Sequence, residues 1–352
     1  MGAAAPPGAR LRLGKRARRS SALAAAVVAG AFGARPAAAQ DTHLLLVVGL
    51  AGDSAYAARF RGWASTVHDA AVGRLGVSEA NVVWLGDDPA APAGRIKDKA
   101  TVAALRSAVA QIAQRAGPED RVLVVLIGHG TEREGKPLFN LTGPDLTPAD
   151  LGLTLDQLAP RRVAVVNTAS ASGGFVGGLA APGRTVITAT RSGRENNETW
   201  FAGFFADALA QEGSDLDKDG RISLFEAFEY ARREVNRYFE EKKILVTEHA
   251  LLDGNGDGEG TMAPAADQGD GLGAGTFYVG GDDRAVAAQA AASDDPVLRG
   301  LLAERARIEE RVAALRARKA EMDPAAYDRE LEALVVELAL KSREVREHGG
   351  GR

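Results

Sequence analysis

The sequence contains no cysteine, and this absence excludes several kinds of chemistry at once. A disulfide framework, a zinc site with thiolate ligands and a cysteine nucleophile all need a sulfur atom that the chain lacks. Aromatic residues make up only 5% of the 352 residues, and the five histidines are too scattered to suggest a zinc site. The hydrophobic share of 45% and the charged share of 26% are those of a globular protein, and the length suggests about two domains.

Acidic residues are absent from the first 40 positions, which carry seven basic residues. The rest of the chain therefore holds 36 basic residues against 47 acidic ones. An acidic protein of this kind repels phosphate, and its net negative charge does not favour the release of counterions from a nucleic acid. We therefore expect no nucleic-acid partner.

The N-terminus has the pattern of a secretory signal peptide over residues 1–40. Its basic segment ends at Arg18-Arg19, and an apolar stretch from Ala22 to Phe32 follows. Small residues at Ala37–Ala39 place the expected cleavage near Ala39–Gln40. Because no later segment is long and apolar enough to cross a bilayer, we expect an exported protein, periplasmic or extracellular, that is not integral to a membrane after cleavage. The alternatives are an uncleaved anchor and a disordered tail rich in Ala, Pro and Arg.

Short apolar runs alternate with helical patterns in the first half of the chain. The runs show little alternation of polar and apolar residues, which is typical of strands buried on both faces. The predicted strands are Leu44–Val48, Val82–Leu85, Val122–Ile127, Val163–Val166 and Thr185–Thr188. Predicted helices between them include Arg59–Arg74 and Thr101–Ala116. This order predicts a three-layer α/β/α sandwich with a mostly parallel sheet, over residues 41–283.

The C-terminal part of the chain has a different pattern. Thr276-Phe277-Tyr278-Val279 interrupts a stretch rich in Gly and Asp and is predicted to form an edge strand. Residues 284–296 are rich in Ala and Asp and are predicted to be a linker. Residues 297–347 are densely charged with apolar positions at helical spacing, and Asp323-Pro324 provides an N-cap and a first-turn proline. They predict an antiparallel, coiled-coil-like helical hairpin that packs on the α/β domain or self-associates.

An acidic loop within residues 199–264 matches the twelve-residue EF-hand loop. Calcium prefers six to eight hard oxygen ligands, and carboxylates at alternate positions of a tight turn supply them. Gly220 permits the sharp bend, and helical patterns at Thr199–Gln211 and Leu224–Phe239 flank the loop. We therefore predict a helix–loop–helix insertion that binds calcium. The predicted ligands are Asp215, Asp217, Asp219, the Arg221 carbonyl, Ser223 and Glu226.

A second stretch repeats the first half of that loop with Asp253, Asn255 and Asp257. Pro264 stands where a closing glutamate would be expected. Half a loop holds calcium weakly or forms a glycine-rich Asx turn, and the sequence leaves both interpretations open.

Two predicted strands end in residues suited to catalysis. Val122–Ile127 leads into Gly128-His129-Gly130, and Val163–Val166 is followed, after Asn167 and Thr168, by Ala169-Ser170-Ala171-Ser172-Gly173. Because the carboxyl ends of neighbouring parallel strands share one crevice, we expect His129 and Ser170 to lie close together. The backbone amide of Gly130 is a candidate oxyanion donor.

These paired motifs resemble the caspase–legumain superfamily of cysteine peptidases, in its bacterial legumain-like (C13-type) branch. His129-Gly130 is similar to the superfamily's His-Gly motif, and Ala169-Ser170-Ala171-Ser172-Gly173 is similar to its Ala-Cys motif, with serine at the cysteine position. The resemblance covers roughly residues 42–210. It implies a caspase-like fold whose peptidase nucleophile has been replaced.

The replacement of sulfur by oxygen weakens the catalytic prediction, because a hydroxyl needs a base in direct contact and a third group that orients this base. The residue expected to orient the base in legumain-like enzymes is not evident here, and Asp53 is the nearest candidate. We therefore expect a pseudopeptidase that binds calcium and an unidentified protein or peptide. The alternatives are an active serine hydrolase using Ser170 and His129, a Ser170 that only begins a helix, and a protein acting through its C-terminal hairpin.

Overall fold

The computed structural model describes most of the chain beyond the N-terminal segment. The described residues are 41–86, 88, 91, 94–118, 120–158, 162–217, 221–280, 295–317 and 322–349. The predicted signal peptide of residues 1–40 and most of the predicted linker of residues 284–296 lie outside them.

A seven-stranded sheet forms the centre of the molecule, with the strand order β3-β2-β1-β4-β7-β8-β9. All neighbouring pairs are parallel except β8 and β9. A separate antiparallel hairpin joins β5 and β6. The strands are β1 Thr42–Val48, β2 Val82–Leu85, β3 Ile96–Asp98, β4 Arg121–Ile127, β5 Gly130–Arg133, β6 Lys136–Phe139, β7 Arg162–Asn167, β8 Arg184–Thr188 and β9 Leu251–Asp253.

Helices cover both faces of the sheet. The α-helices of the described residues are α1 Ser54–Asp69, α2 Val102–Arg115, α3 Pro148–Leu155, α4 Phe175–Leu179, α5 Phe201–Ala210, α6 Leu224–Lys242 and α7 Gly269–Gly275, followed by α8 Pro296–Ala317 and α9 Pro324–Gly349 in the C-terminal part. Alternate residues of β1 enter opposite cores, because successive side chains of a strand point to opposite faces. Leu44 and Leu46 pack in the core with α1, α5 and α6, and Leu45 and Val47 pack with α2, α3 and α4. The predicted three-layer α/β arrangement with a mostly parallel sheet is therefore confirmed.

Two local predictions differ from the structure. Helix α1 begins at Ser54 and not at Arg59, because Asp53 caps it by accepting hydrogen bonds from the amides of Ala55 and Tyr56. Residues 276–279 were predicted as an edge strand. Tyr278 instead forms an isolated antiparallel bridge with Ser223, which ties this segment to the acidic loop.

Helices α8 and α9 form the predicted C-terminal hairpin. Asp323 begins α9 by accepting a hydrogen bond from the amide of Ala326. The buried side chains of the hairpin form two clusters of their own, one around Leu315 and Leu334 and one around Leu302 and Val345. Among the residues that the structure describes, no helix has the length and apolar character needed to cross a membrane.

Candidate functional site

The two sequence motifs meet at the carboxyl edge of the sheet. Strands β4 and β7 are parallel neighbours, with Leu126 paired to Asn167 near their ends. His129 follows the first strand and Ser170 follows the second. The structure thus brings together the two positions that the sequence predicted would share a crevice.

The Ser170 hydroxyl is bonded to the backbone of Gly130. Its Oγ donates to the Gly130 carbonyl at 3.0 Å and accepts from the Gly130 amide at 3.3 Å. The residue is only 5% exposed. Within the described ranges, no hydrogen bond joins this hydroxyl to the His129 ring, and the Gly130 amide predicted as an oxyanion donor is engaged by Ser170 itself.

The His129 ring is held by a backbone group that carried no sequence signal. Its Nε2 lies 3.2 Å from the carbonyl oxygen of Ala51. Because a carbonyl only accepts, Nε2 carries the hydrogen and Nδ1 is left as the acceptor. The rings of Tyr56 and Phe60 meet the imidazole edge-on, at centroid distances of 4.5 Å and 5.1 Å.

The protonation state of His129 follows from these surroundings. Burial lowers its pKa below the ordinary value, against the opposing effects of the Ala51 hydrogen bond and the Asp53 charge. The imidazole is therefore neutral at pH 7. Asp53, the sequence candidate for orienting the ring, influences it through charge, and its Oδ1 caps α1.

The turn after Ser170 is fixed by the loop that follows β8. Ala171 adopts a left-handed backbone conformation, with φ at 52°, and its amide donates to the Glu195 carbonyl at 2.7 Å. The Gly173 amide donates to Thr190 Oγ1 at 3.1 Å. A Cβ on Gly173 would lie 2.2 Å from the carbonyl carbon of Arg191, so only glycine fits. The hydroxyl of Ser172 contacts Thr190 Oγ1 at 3.2 Å and accepts a hydrogen bond from the Thr190 amide at 3.2 Å, so both serines of the motif brace the backbone.

The first acidic loop gathers three of its predicted ligands. Carboxylate oxygens of Asp215, Asp217 and Glu226 all lie within 4.8 Å of one another. Asp219 lies outside the described residues. Glu226 is buried at the centre of the loop, where Oε1 accepts from the amides of Leu216 and Asp217. This donor set fits a hard divalent cation.

The remaining predicted ligands of this loop have structural contacts. Ser223 and Glu226 form a capping box at the start of α6. The guanidinium of Arg221 stacks over the ring of Tyr278 at 4.0 Å. Ile222 is fully buried, and its carbonyl accepts from the amide of Val279. The loop is therefore paired with residues 276–279 and not with the second acidic loop.

The second acidic loop has a member that the sequence did not indicate. Asp270, at the start of α7, brings a carboxylate oxygen within 4.8 Å of those of Asp253 and Asp257. Burial raises the pKa of Asp253 and of Asp270, and the negative charge of Asp257 raises both further, against hydrogen bonds from backbone amides. Asn255 donates to Asp257 at 2.9 Å and accepts from its amide, which is the Asx-turn arrangement.

Comparison with known proteins places the chain in no family. It matches no described protein family and no curated protein. The crystal structure of protein GSU0716 from Geobacter sulfurreducens is similar to it, with a TM-score of 0.39 and 15% identity. The similarity covers 60% of this chain and 92% of that one. A likeness of this degree assigns neither a family nor an activity.

A pair of ionisable residues beside the Ser170 turn was missed by the sequence interpretation, which gave His249 no role. Its Nδ1 lies 2.6 Å from Oε1 of Glu195, the residue whose carbonyl holds Ala171. The neighbouring Glu248 is 2% exposed and accepts hydrogen bonds from the amides of Trp200 and Phe201. Burial raises the pKa of Glu248 to about 7, opposed by these bonds and supported by repulsion from Glu195. Only the adjacency of Glu248 and His249 was visible in the sequence.

Proposed function

We propose that this chain is an exported calcium-binding protein with a caspase- or legumain-like domain that has lost peptidase activity and binds a protein or peptide partner as a scaffold. The observation that carries the proposal is the bonding of the Ser170 hydroxyl. Its Oγ donates to the Gly130 carbonyl instead of to an imidazole nitrogen. The motif serine thus has a structural partner where a nucleophile would need a base.

Chemistry supports this interpretation. A serine hydroxyl becomes nucleophilic when a base within hydrogen-bond reach removes its proton. The neutral His129 has an acceptor nitrogen but no hydrogen bond to Ser170 among the described residues. The hydroxyl is buried and donates its hydrogen to the Gly130 carbonyl, so activation would also require breaking this hydrogen bond. The serine at the cysteine position therefore favours a binding role.

Calcium binding is supported by the first acidic loop. Asp215, Asp217 and Glu226 converge, and the loop leads directly into the capped helix α6. Glu226 also forms the capping box, so its substitution would disturb the helix whether or not calcium binds. Asp217 takes no part in the capping box, which makes Asp217→Asn the sharper test.

Calcium titration of the full mature chain tests this part of the proposal. Saturating calcium should raise the melting temperature by about 5 °C, because a ligand that binds only the folded state stabilises it by mass action. Asp217→Asn should abolish most of the shift. Glu241→Gln removes an exposed carboxylate of α6 as a matched control and should leave the shift intact. An unchanged melting temperature at millimolar calcium would rule out the calcium site.

An active serine hydrolase is the second candidate. It is favoured by the orientation of His129, whose bond to Ala51 leaves Nδ1 as an acceptor on the sheet edge that carries Ser170. A fluorophosphonate probe separates the candidates, because it labels activated serines. The scaffold proposal expects no labelling with or without calcium. Labelling that disappears in Ser170→Ala and persists in Ser172→Ala would establish the hydrolase instead.

A further inference from the structure

A pocket lies beyond the carboxyl ends of β1 and β2, between the sheet edge and helix α1. Its volume is about 240 Å³. An apolar cavity of roughly 150 Å³ is large enough to hold benzene, so this pocket has room for a six-membered ring and a few further atoms. The lining residues used below are Ala57 and Phe60 of α1, Trp84 of β2, Gly86, and the pair Arg61 and Asp88.

The indole of Trp84 places an unused hydrogen-bond donor in this wall. The residue is 1% exposed, and within the described part of the chain its Nε1 has no hydrogen-bond partner. A Cβ built on Gly86 would lie 3.4 Å from Nε1, so the donor sits at the stretch of wall that Gly86 leaves open. A buried N–H without an acceptor is unfavourable, and proteins seldom leave one unless a ligand or water completes it.

Three further polar groups of the described pocket lining have partners. Arg61 Nη1 donates to Asp88 Oδ2 at 2.7 Å, so the two charges offset each other. The Gly86 amide donates to the Asp98 carbonyl at 2.9 Å. The Ala51 carbonyl accepts from His129. Among the described lining residues, a ligand therefore meets apolar walls, an ion pair whose charges offset each other and the free indole donor of Trp84.

We propose that this pocket binds a small neutral ligand that is mainly apolar and carries one hydrogen-bond acceptor oxygen, such as a ring bearing a carbonyl group. The acceptor oxygen bonds to Trp84 Nε1, and the ring packs against Phe60 and Ala57. Because Ala51 and Phe60 also contact His129, a bound ligand lies beside the imidazole. The proposal does not depend on the chemistry of Ser170 or on calcium.

Two probes of matched size test the proposal on the full chain. Acetophenone supplies the ring and the acceptor oxygen, and ethylbenzene supplies the same shape without it. In ¹⁵N-labelled protein the three tryptophans give separate indole N–H resonances, and Trp63→Phe and Trp200→Phe assign that of Trp84 by elimination. Acetophenone should shift the Trp84 resonance downfield and bind about tenfold more tightly than ethylbenzene.

A variant that fills the pocket provides the control. Ala57→Leu keeps a good helix former in α1 while occupying the space beside Phe60, so binding of both probes should be lost. Equal binding of the two probes without movement of the Trp84 resonance would overturn the proposed hydrogen bond. Failure of both probes to bind at their solubility limits, or undiminished binding to Ala57→Leu, would overturn the pocket itself.

Discussion

Single residues decide how the motif serine and histidine are used. Ser170 and His129 stand at the ends of adjacent strands, yet each is bonded to a backbone carbonyl, that of Gly130 and that of Ala51. Backbone carbonyls accept hydrogen bonds wherever the fold places them, whatever the side chain of their residue. The residue types at the strand ends therefore do not determine which hydrogen bonds these residues make.

Removal of the Ser170 hydroxyl should destabilise the protein in proportion to one buried hydrogen bond. Ser170→Ala leaves the carbonyl of Gly130 without this donor, so the free energy of unfolding should fall by about 1 kcal/mol. Urea unfolding followed by tryptophan fluorescence measures the change. A variant at least as stable as the wild type would show that the hydroxyl does not brace the backbone.

Glu248 should give the folded protein a pH dependence of its own. Its pKa is about 7 when folded against an ordinary value of 4.5, so the folded state binds the proton more tightly than the unfolded state does. Stability contributed by this group is complete below the ordinary value and falls as pH rises toward 7. Between about pH 5 and about pH 8, ionisation of Glu248 should lower the free energy of unfolding of the wild type by about 2 kcal/mol. Glu248→Gln should not show this decrease.

Urea unfolding at both pH values measures the difference between Glu248→Gln and the wild type. The exposed-site variant Glu241→Gln should retain the wild-type pH profile. Parallel profiles for Glu248→Gln and the wild type would mean that Glu248 has an ordinary pKa in the folded protein.

At the scale of elements, the turn between β7 and α4 is shaped by close packing on the loop after β8. The left-handed conformation of Ala171 and the contact of Gly173 with Arg191 both follow from this packing. The acidic loop before α6 is shaped in a similar way, by pairing with residues 276–279. Each candidate site is thus a turn whose geometry is set by a segment distant in sequence.

Substitution of Gly173 should show how tightly the Ser170 turn is packed. The methyl group of Gly173→Ala would meet the carbonyl carbon of Arg191 at 2.2 Å, so the backbone must shift, at a cost of about 1–3 kcal/mol. Gly177→Ala in α4 is the matched control, since its nearest neighbour lies 3.9 Å away. Comparison of melting temperatures separates the two, and equal stabilities would show that the turn adapts freely.

At the scale of the whole molecule, the sheet and the C-terminal hairpin have separate cores. The α/β part buries side chains on both faces of the sheet, and the hairpin buries Leu315 and Leu334 in a cluster of its own. Exposed apolar residues such as Val336 and Leu340 lie on α9. We propose that the hairpin serves self-association or attachment to a partner.

Deletion of residues 295–352 should leave the α/β part folded. All three tryptophans lie within residues 63–200, so their fluorescence reports the unfolding of that part alone. The melting temperature should be unchanged, because the buried clusters of the hairpin contain only hairpin residues. If the hairpin mediates self-association, light scattering should show a smaller assembly after deletion. A large fall in melting temperature would show that the hairpin stabilises the α/β part.

The sequence by itself determined the secondary structure well. The five predicted strands agree with the structure to within two residues at each end, because continuous Val, Ile and Leu runs are the mark of strands buried on both faces. Two short strands were not foreseen, because β3 carries few apolar residues and β9 lies beside turn residues. The proximity of His129 and Ser170 was predictable, since the topology places the ends of neighbouring parallel strands together. The first acidic loop lies between α5 and α6, where the spacing of its residues predicted a loop between two helices.

Only the tertiary structure decided what these residues contact. The Ala51 carbonyl behind His129 and the addition of Asp270 to the second loop each join separate segments of the chain. The packing also leaves the indole N–H of Trp84 without a hydrogen-bond partner among the described residues. Such contacts depend on differences in distance of a few tenths of an ångström and on backbone groups that every residue has. Periodicity and spacing in the sequence carry information about faces and turns, but none about which distant atom completes a hydrogen bond.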